Sequence, residues 1–129
     1  MRILLDTHIW LWGIYEPSKI GQRLRKELND PANELWLSPI STWEALILES
    51  KGRIEIDENV ALWVAQATSA FREAPVTHEV ALAAEQISLA HRDPGDRFLA
   101  GTAKVFGLTL ATADTKLLGL GDIATIANR

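Results

Sequence analysis

The stretch 92–114, RDPGDRFLAGTAKVFGLTLATAD, predicts a helix that leads directly into a buried strand. Asp93 and Pro94 are typical of a helix start, and small and apolar residues follow them at helical spacing. The run LTLAT (108–112) is short and apolar, as in a strand that is covered on both faces of a parallel sheet. This part of the chain therefore predicts an α/β arrangement.

The same alternation runs through the rest of the chain. Four further short apolar runs predict strands: RILLD (2–6), ELWLS (34–38), APVT (74–77) and IATIA (123–127). Apolar residues at helical spacing lie between them, namely Ile20, Leu24 and Leu28, then Val60, Trp63, Val64, Ala67 and Phe71, then Val80, Ala83, Ala84 and Ile87. Alternating strands and helices favour a parallel sheet with helices on both faces. We expect residues 1–129 to form a single three-layer α/β/α domain with a central parallel sheet of four to five strands.

Composition limits the possible functions. The 129 residues are 47% hydrophobic and 23% charged, as in a globular domain, and no apolar run has the roughly 18 to 20 residues of a membrane span. Asp6 interrupts the place where a secretory signal would be apolar, so we expect a cytoplasmic protein without a membrane partner. The chain has no cysteine, which leaves oxygen and imidazole as metal ligands. A net charge of −4 argues against a generic nucleic-acid coat but allows a basic rim around an acidic centre.

Acidic residues follow several of the predicted strands. Asp6 ends the first run, Glu44 follows the second, and Asp114 follows LTLAT, while Asp96 lies at the start of the preceding helix. Ligand sites of open parallel sheets lie beyond the carboxyl ends of the strands, so these four acids are expected at one edge. Four carboxylates in one pocket repel each other unless a cation neutralises them, and Mg²⁺ or Mn²⁺ is the natural partner.

Each of these acids also has a purely structural interpretation. Asp6, Asp93 and Asp114 can be helix N-caps, and Ser41 with Glu44 fits the capping-box pattern. The recurrence of acids at strand-to-helix transitions favours the metal site over four separate caps.

Helical spacing distinguishes Asp93 from Asp96. Asp96 shares a helix face with Leu99, Ala100 and Ala103, which is the face that packs on the sheet. Asp93 precedes the helix, where its side chain would bind backbone N–H groups. We therefore predict that Asp96 takes part in the metal site and that Asp93 caps the helix. Asp93 is also a candidate for the outer shell of the metal site.

Four segments together resemble the acidic motifs of PIN-domain ribonucleases, in particular the VapC-type toxins of bacterial toxin–antitoxin pairs: LLDTHIWLW (4–12), SPISTWEA (38–45), HRDPGDRFLAGTA (91–103) and LTLATAD (108–114). The resemblance covers nearly the whole chain, in order. It implies that Asp6, Glu44, Asp96 and Asp114 form a metal-binding cluster, with Thr112 beside it as a polar helper. It also implies a homodimer and a small antitoxin that wraps the toxin with an apolar segment.

The resemblance implies an endoribonuclease in which one or two Mg²⁺ or Mn²⁺ ions activate a water for in-line attack on an RNA phosphodiester. Asp6 and Asp96 are the preferred direct ligands. Asp114 binds directly or through water, and Glu44 holds metal-bound water or accepts its proton. Arg97, next to Asp96 in the third motif, and Thr112 are candidates for contact with the RNA substrate.

Two glycines depart from the family pattern, which more often has a bulky apolar residue at Gly95 and a longer polar one near Gly101.

Two alternative functions stay open. A PIN-like scaffold that binds RNA without cutting usually lacks one of the acids, and all four are present here. A phospho-accepting receiver-type domain also places acids around Mg²⁺, but it needs a lysine at the end of its last strand, and GDIATIA (121–127) has none.

Five tryptophans divide between core and surface. Trp36 and Trp63 are predicted to be buried. Trp10, Trp12 and Trp43 line either a groove or a self-association surface, and His8 is expected to be a partly buried structural residue.

Overall fold

A computed structural model describes residues 1–89 and 93–129 of the chain and contains a five-stranded sheet. The strands are β1 (Arg2–Leu5), β2 (Glu34–Leu37), β3 (Arg72–Glu73), β4 (Thr109–Thr112) and β5 (Ala124–Ala127). They lie in the order β3-β2-β1-β4-β5, and all four pairings are parallel. The chain therefore builds outward from β1 in one direction and then from β4 in the other. The boundary between β1 and β4 is the switch point where this architecture places ligand sites.

Helices cover both faces of the sheet. They are α1 (Thr7–Tyr15), α2 (Gln22–Asn29), α3 (Pro39–Ser50), α4 (Val60–Ala67), α5 (His78–Gln86), α6 (Pro94–Phe106) and α7 (Thr115–Leu118), with a short 3₁₀ helix at Pro17–Lys19. Ile3 and Leu5 of β1 belong to one hydrophobic cluster and Leu4 belongs to another. Because successive side chains of a strand point to opposite faces, these clusters are the two cores of a three-layer α/β/α fold, as predicted. Within the described ranges, no helix has the length and apolarity to cross a lipid bilayer.

Four predicted strands agree with the structure to within one residue at each end, whereas the third is displaced. The run 74–77 was expected to form it, but β3 is Arg72–Glu73. The amide of Ala74 still donates to the carbonyl of Leu37 at 2.9 Å. Pro75 has no N–H to continue the ladder. Thr77 instead caps α5, where its hydroxyl accepts from the amide of Val80 at 3.1 Å.

Helix α6 carries Asp96 and packs closely on both the sheet and α5. Its apolar face is buried, with Leu99, Ala100 and Ala103 among the core residues. A β carbon at Gly101 would lie 2.8 Å from the amide nitrogen of Ala84. The departure from the family pattern at Gly101 therefore has a packing reason, since only glycine allows this close approach of two helix backbones.

Candidate functional site

The four predicted acids meet in one cavity of about 310 Å³ beyond the carboxyl ends of β1 and β4. Asp6 directly follows β1, and Asp114 lies two residues after β4. Glu44 reaches the cavity from α3 and Asp96 from the first turn of α6, while Asp93 lies on its rim. Four segments that are far apart in the sequence thus bring five carboxyl groups to the switch point of the sheet.

Asp6 is buried, with 7% of its surface exposed, and its side chain makes no capping hydrogen bond to α1. Asp6 thus occupies the N-cap position of α1, as the alternative structural interpretation allowed, but its side chain does not cap the helix. Its Oδ2 instead accepts a hydrogen bond of 2.6 Å from the hydroxyl of Thr112, which is fully buried. The same hydroxyl accepts from the amide of Asp114 at 3.0 Å. Thr112, which the family resemblance implied as a polar helper, links the first and the fourth acid.

Glu44 takes no part in the predicted capping box. The N-cap of α3 is Ser38, whose hydroxyl accepts from the amide of Ile40 at 3.1 Å. The hydroxyl of Thr7 lies 2.6 Å from Glu44 Oε1 and 2.8 Å from the hydroxyl of Ser41, and both hydroxyl groups are buried. Because a carboxylate only accepts, Thr7 gives its single proton to Glu44, and Ser41 supplies the proton of the second bond. A buried pair of hydroxyls therefore orients the carboxylate of Glu44.

Gly95 leaves room for the same carboxylate. A β carbon at this position would lie 2.7 Å from Glu44 Oε2 and 3.3 Å from Asp93 Oδ1. The side chain that the family more often carries here would occupy the place of the Glu44 carboxylate. These atoms are the ends of flexible side chains, so a larger residue at position 95 would displace the carboxylate of Glu44 rather than disrupt the fold.

Asp93 and Asp96 take the separate positions that helical spacing predicts. Oδ1 of Asp93 accepts from the amides of Gly95, at 2.9 Å, and of Asp96, at 3.4 Å, so Asp93 is the N-cap of α6. Asp96 lies half-buried in the cavity. Asp114 caps α7 by accepting from the amide of Lys116 at 2.8 Å. A carboxylate has two oxygens, so this cap is compatible with a position in the cavity wall.

The pKa values of three acids reflect their crowding. Burial is the main cause that raises the pKa of Asp96 to about 7, and the charges of four other acids add to it: Asp93, Asp6, Asp114 and Glu44. Burial likewise raises the pKa of Asp6 and of Glu44, against the hydrogen bonds that they receive from Thr112 and Thr7. The cluster therefore takes up protons unless a cation compensates its charge.

The donor set of the cavity fits a hard divalent ion, because its walls present carboxylate oxygens in a partly buried place. As they stand, no three carboxylate or imidazole groups among residues 1–89 and 93–129 are grouped closely enough to hold one ion. Asp6, Asp96, Asp114 and Glu44 are the residues that could hold the ion.

Arg97 has partners within the protein. Its guanidinium donates to three main-chain carbonyls, those of Ala84 at 3.1 Å, Ile87 at 3.2 Å and Leu89 at 3.0 Å. These bonds tie the end of α5 to the first turn of α6, beside Asp96. The structure thus gives Arg97 a structural role, and its contact with RNA remains a prediction.

Sequence reasoning missed part of the cavity wall. His8 was expected to be partly buried, but it is exposed, lines the cavity and lies with its ring centroid 6.0 Å from that of Trp12. Thr7 and Ser41 were missed as well. Thr7 follows Asp6 directly, but nothing local indicates that its partner is on α3, and the pattern around Ser41 is that of a helix cap. Trp36 and Trp63 are buried as predicted. Of the tryptophans expected at a groove or a self-association surface, Trp43 is 61% exposed, whereas Trp10 is buried in one of the two cores.

Comparisons with known proteins agree with this geometry. The sequence profile of the PIN domain matches residues 3–122. Ribonuclease VapC22 of Mycobacterium tuberculosis (strain ATCC 25618 / H37Rv) is 31% identical over 116 residues, which cover 89% of this chain and 88% of that protein. The DNA-bound VapBC structure from Salmonella typhimurium has a TM-score of 0.75 at 19% identity, covering 100% of this chain and 99% of its own. FitAcB from Neisseria gonorrhoeae has a TM-score of 0.68 at 25% identity over 96% of both chains. The chain therefore belongs to the PIN-domain family, and within it to the VapC type.

Proposed function

We propose that this protein is a metal-dependent endoribonuclease and the toxin of a toxin–antitoxin pair, acting as a single PIN domain over residues 1–129. The observation that carries the proposal is the convergence of Asp6, Glu44, Asp96 and Asp114 in one cavity, with the pKa of Asp96 raised to about 7 by burial and by the other acids. Such a cluster is unfavourable without a cation, and a bound divalent ion accounts for its presence. The relative named ribonuclease VapC22 supports RNA as the substrate.

When bound, Mg²⁺ or Mn²⁺ would lower the pKa of water and stabilise the developing charge on the reacting phosphodiester. Asp6 and Asp96 would hold the ion, and Asp114 would contribute to the same site directly or through water. Thr112 fixes the orientation of Asp6, so it acts on the site through that acid.

Glu44 accepts the proton of the attacking water. Its Oε1 already accepts from Thr7, and we assign proton transfer to the other oxygen, Oε2. Oε2 is also the atom that lies against Gly95. The raised pKa of Glu44 suits a general base, because proton transfer is most efficient when the pKa lies near the operating pH.

The proposed partners are an antitoxin and a second copy of the chain. Related folds are found in VapBC complexes and in a structure described as a toxin–antitoxin complex from Klebsiella pneumoniae. A groove of about 390 Å³ between α1, α2 and the end of α4 is lined mainly by apolar side chains, with Arg25 and Asn29 beside them, and includes Ile14, which is 41% exposed. We assign this groove to an apolar segment of the antitoxin. We also propose that the toxin and the antitoxin act in the cytoplasm.

The test compares the purified parent protein with Asp96→Asn and Asp93→Asn on RNA, with Mg²⁺, with Mn²⁺ and with EDTA. We expect cleavage by the parent only with a divalent ion, and no cleavage by Asp96→Asn while its circular dichroism is unchanged. Binding of RNA without cleavage under every condition would favour the non-cleaving scaffold instead. Cleavage by Asp96→Asn but not by Asp93→Asn would reverse the roles of these two acids.

A further inference from the structure

A second cleft adjoins the acidic cavity and shares a wall with it. Its volume is about 300 Å³, and it lies between α1, α3 and the start of α6. Thr7, His8, Glu44 and Asp93 line both spaces. A molecule that places one group among the acids can therefore place its neighbouring group in this cleft.

The unshared walls of the cleft are apolar. Trp43, Ile47 and Leu48 contribute from α3, and Pro94 and Gly95 from α6. Trp43 directly precedes Glu44, and 61% of its surface is exposed. Among the described residues that line the cleft, none is a lysine or an arginine. These walls suit a flat, uncharged group and offer nothing to a phosphate.

We propose that this cleft binds an unpaired RNA base next to the phosphodiester held at the acids, with the base stacked on Trp43. The inference rests on the proposed ribonuclease function and adds a base-binding subsite to it. A nucleobase is neutral and planar, every base has a π-face for an aromatic side chain, and proteins read RNA mainly at unstacked bases. The apolar wall offers no charged partner to the phosphate, which would instead lie at the adjoining acids, where a bound cation would balance its charge.

The dimensions favour a base over a second copy of the chain. A cleft of about 300 Å³ corresponds to the lower end of small-ligand cavities, which span about 300–1,000 Å³. A stable contact between two proteins needs about 800 Å² from each partner and a broad, complementary surface. The cleft is also continuous with the acidic cavity, which a contact between two subunits would not require.

The test uses a random-sequence pool of single-stranded twelve-nucleotide RNAs with a divalent ion. The parent is compared with Trp43→Ala, with Trp43→Phe, and with Leu82→Ala as the matched control. Leu82 is also 61% exposed, and it lines neither cavity. We expect Trp43→Ala to raise KM about five- to thirty-fold, in the lower half of the effect known for base–aromatic stacking, with kcat changed less. Trp43→Phe should restore most of the affinity, and Leu82→Ala should match the parent.

A second measurement locates the base. An RNA that the parent cuts is synthesised with a single abasic nucleotide at each position in turn. We expect one position beside the cut at which base removal raises KM for the parent but has no further effect on Trp43→Ala, because the two changes remove the same contact.

An equal KM for the parent and Trp43→Ala, on RNA that both cut, would overturn the subsite. If Trp43→Ala also loses the dimer mass, the cleft is assigned to a contact between copies instead. Failure of the parent to cut any RNA in the pool or in total cellular RNA would instead refute the ribonuclease function itself.

Discussion

The carboxylate of Glu44 lies over the α carbon of Gly95, so close that a β carbon would come within 2.7 Å of Oε2. The other oxygen, Oε1, accepts from the hydroxyl of Thr7 at 2.6 Å. The carboxylate is therefore confined between a hydroxyl group of α1 and the first turn of α6. This arrangement couples the start of α6 to the proposed general base.

Gly95→Ala should lower the activity of the protein without lowering its stability. Alanine favours a helix over glycine by about 1 kcal/mol, and the only close side-chain atoms belong to flexible carboxylates, so the fold should tolerate the change. The displaced Glu44 should lower kcat by about ten- to a hundred-fold, within or below the roughly 10²- to 10⁴-fold contribution of a general base. Gly13→Ala is the matched control, because Gly13 lies in α1 and a β carbon there would meet nothing within 4 Å. Unchanged kcat in Gly95→Ala would contradict the confinement of Glu44.

Thr112→Val should destabilise the protein and reduce its activity together. The variant keeps the shape of the side chain but removes the 2.6 Å hydrogen bond to Asp6 and the acceptor for the amide of Asp114. Leaving a buried polar group without a partner costs about 1–3 kcal/mol, which denaturant unfolding can measure. Thr112→Ser retains the hydroxyl and should recover most of the stability. Equal stability of Thr112→Val and the parent would show that the hydrogen bond between Thr112 and Asp6 does not stabilise the fold.

The metal-free protein should lose stability as the pH rises through the weakly acidic range. The pKa of Asp96 is raised from 3.8 to about 7 in the folded protein, so the native state holds a proton that the unfolded state has released. Stability from this group is therefore full below about pH 4 and declines as the pH rises to about 7. The raised pKa values of Asp6 and Glu44 act in the same direction.

Urea unfolding with EDTA, at about pH 5 and about pH 8, measures this dependence. Asp96→Asn should be less sensitive to pH than the parent and more stable at pH 8, while Asp122→Asn, an exposed acid outside the cavity, should behave as the parent. Mg²⁺ should raise the Tm of the parent at pH 8, because a ligand that binds only the folded state stabilises it. A parent that gains stability from pH 5 to pH 8 without metal would refute the crowding of the acids.

Arg97→Gln should act through stability. The variant loses the guanidinium that donates to three carbonyls at the end of α5, so we expect a loss of about 1–3 kcal/mol, with a lower kcat because α6 carries Asp96. KM for RNA should change little. An unchanged Tm with a raised KM would instead show that Arg97 contacts the substrate, as the position of this residue in the third motif suggested.

Local patterns in the sequence were enough to predict the sheet and the identity of the acids. The apolar runs predicted four strands to within one residue, and helical spacing directed Asp96 inward and Asp93 to the helix start. These features depend on residues a few positions apart, where periodicity and capping act. The position of the third strand was predicted wrongly. β3 is defined by its pairing with β2, which is a long-range contact, and the apolar run 74–77 does not indicate where that pairing occurs.

Only the tertiary structure decided which side chains hold the acids in place. Thr7 and Glu44 are 37 positions apart, and Asp6 and Thr112 are 106 apart, so their hydrogen bonds exist only once α1, α3 and β4 have packed together. Gly95 has no local explanation either, since its reason is a carboxylate from another helix. The sequence by itself determined which residues place carboxylate oxygens at the carboxyl end of the sheet. Their orientation and their raised pKa values arise from burial and from long-range contacts that only the folded chain creates.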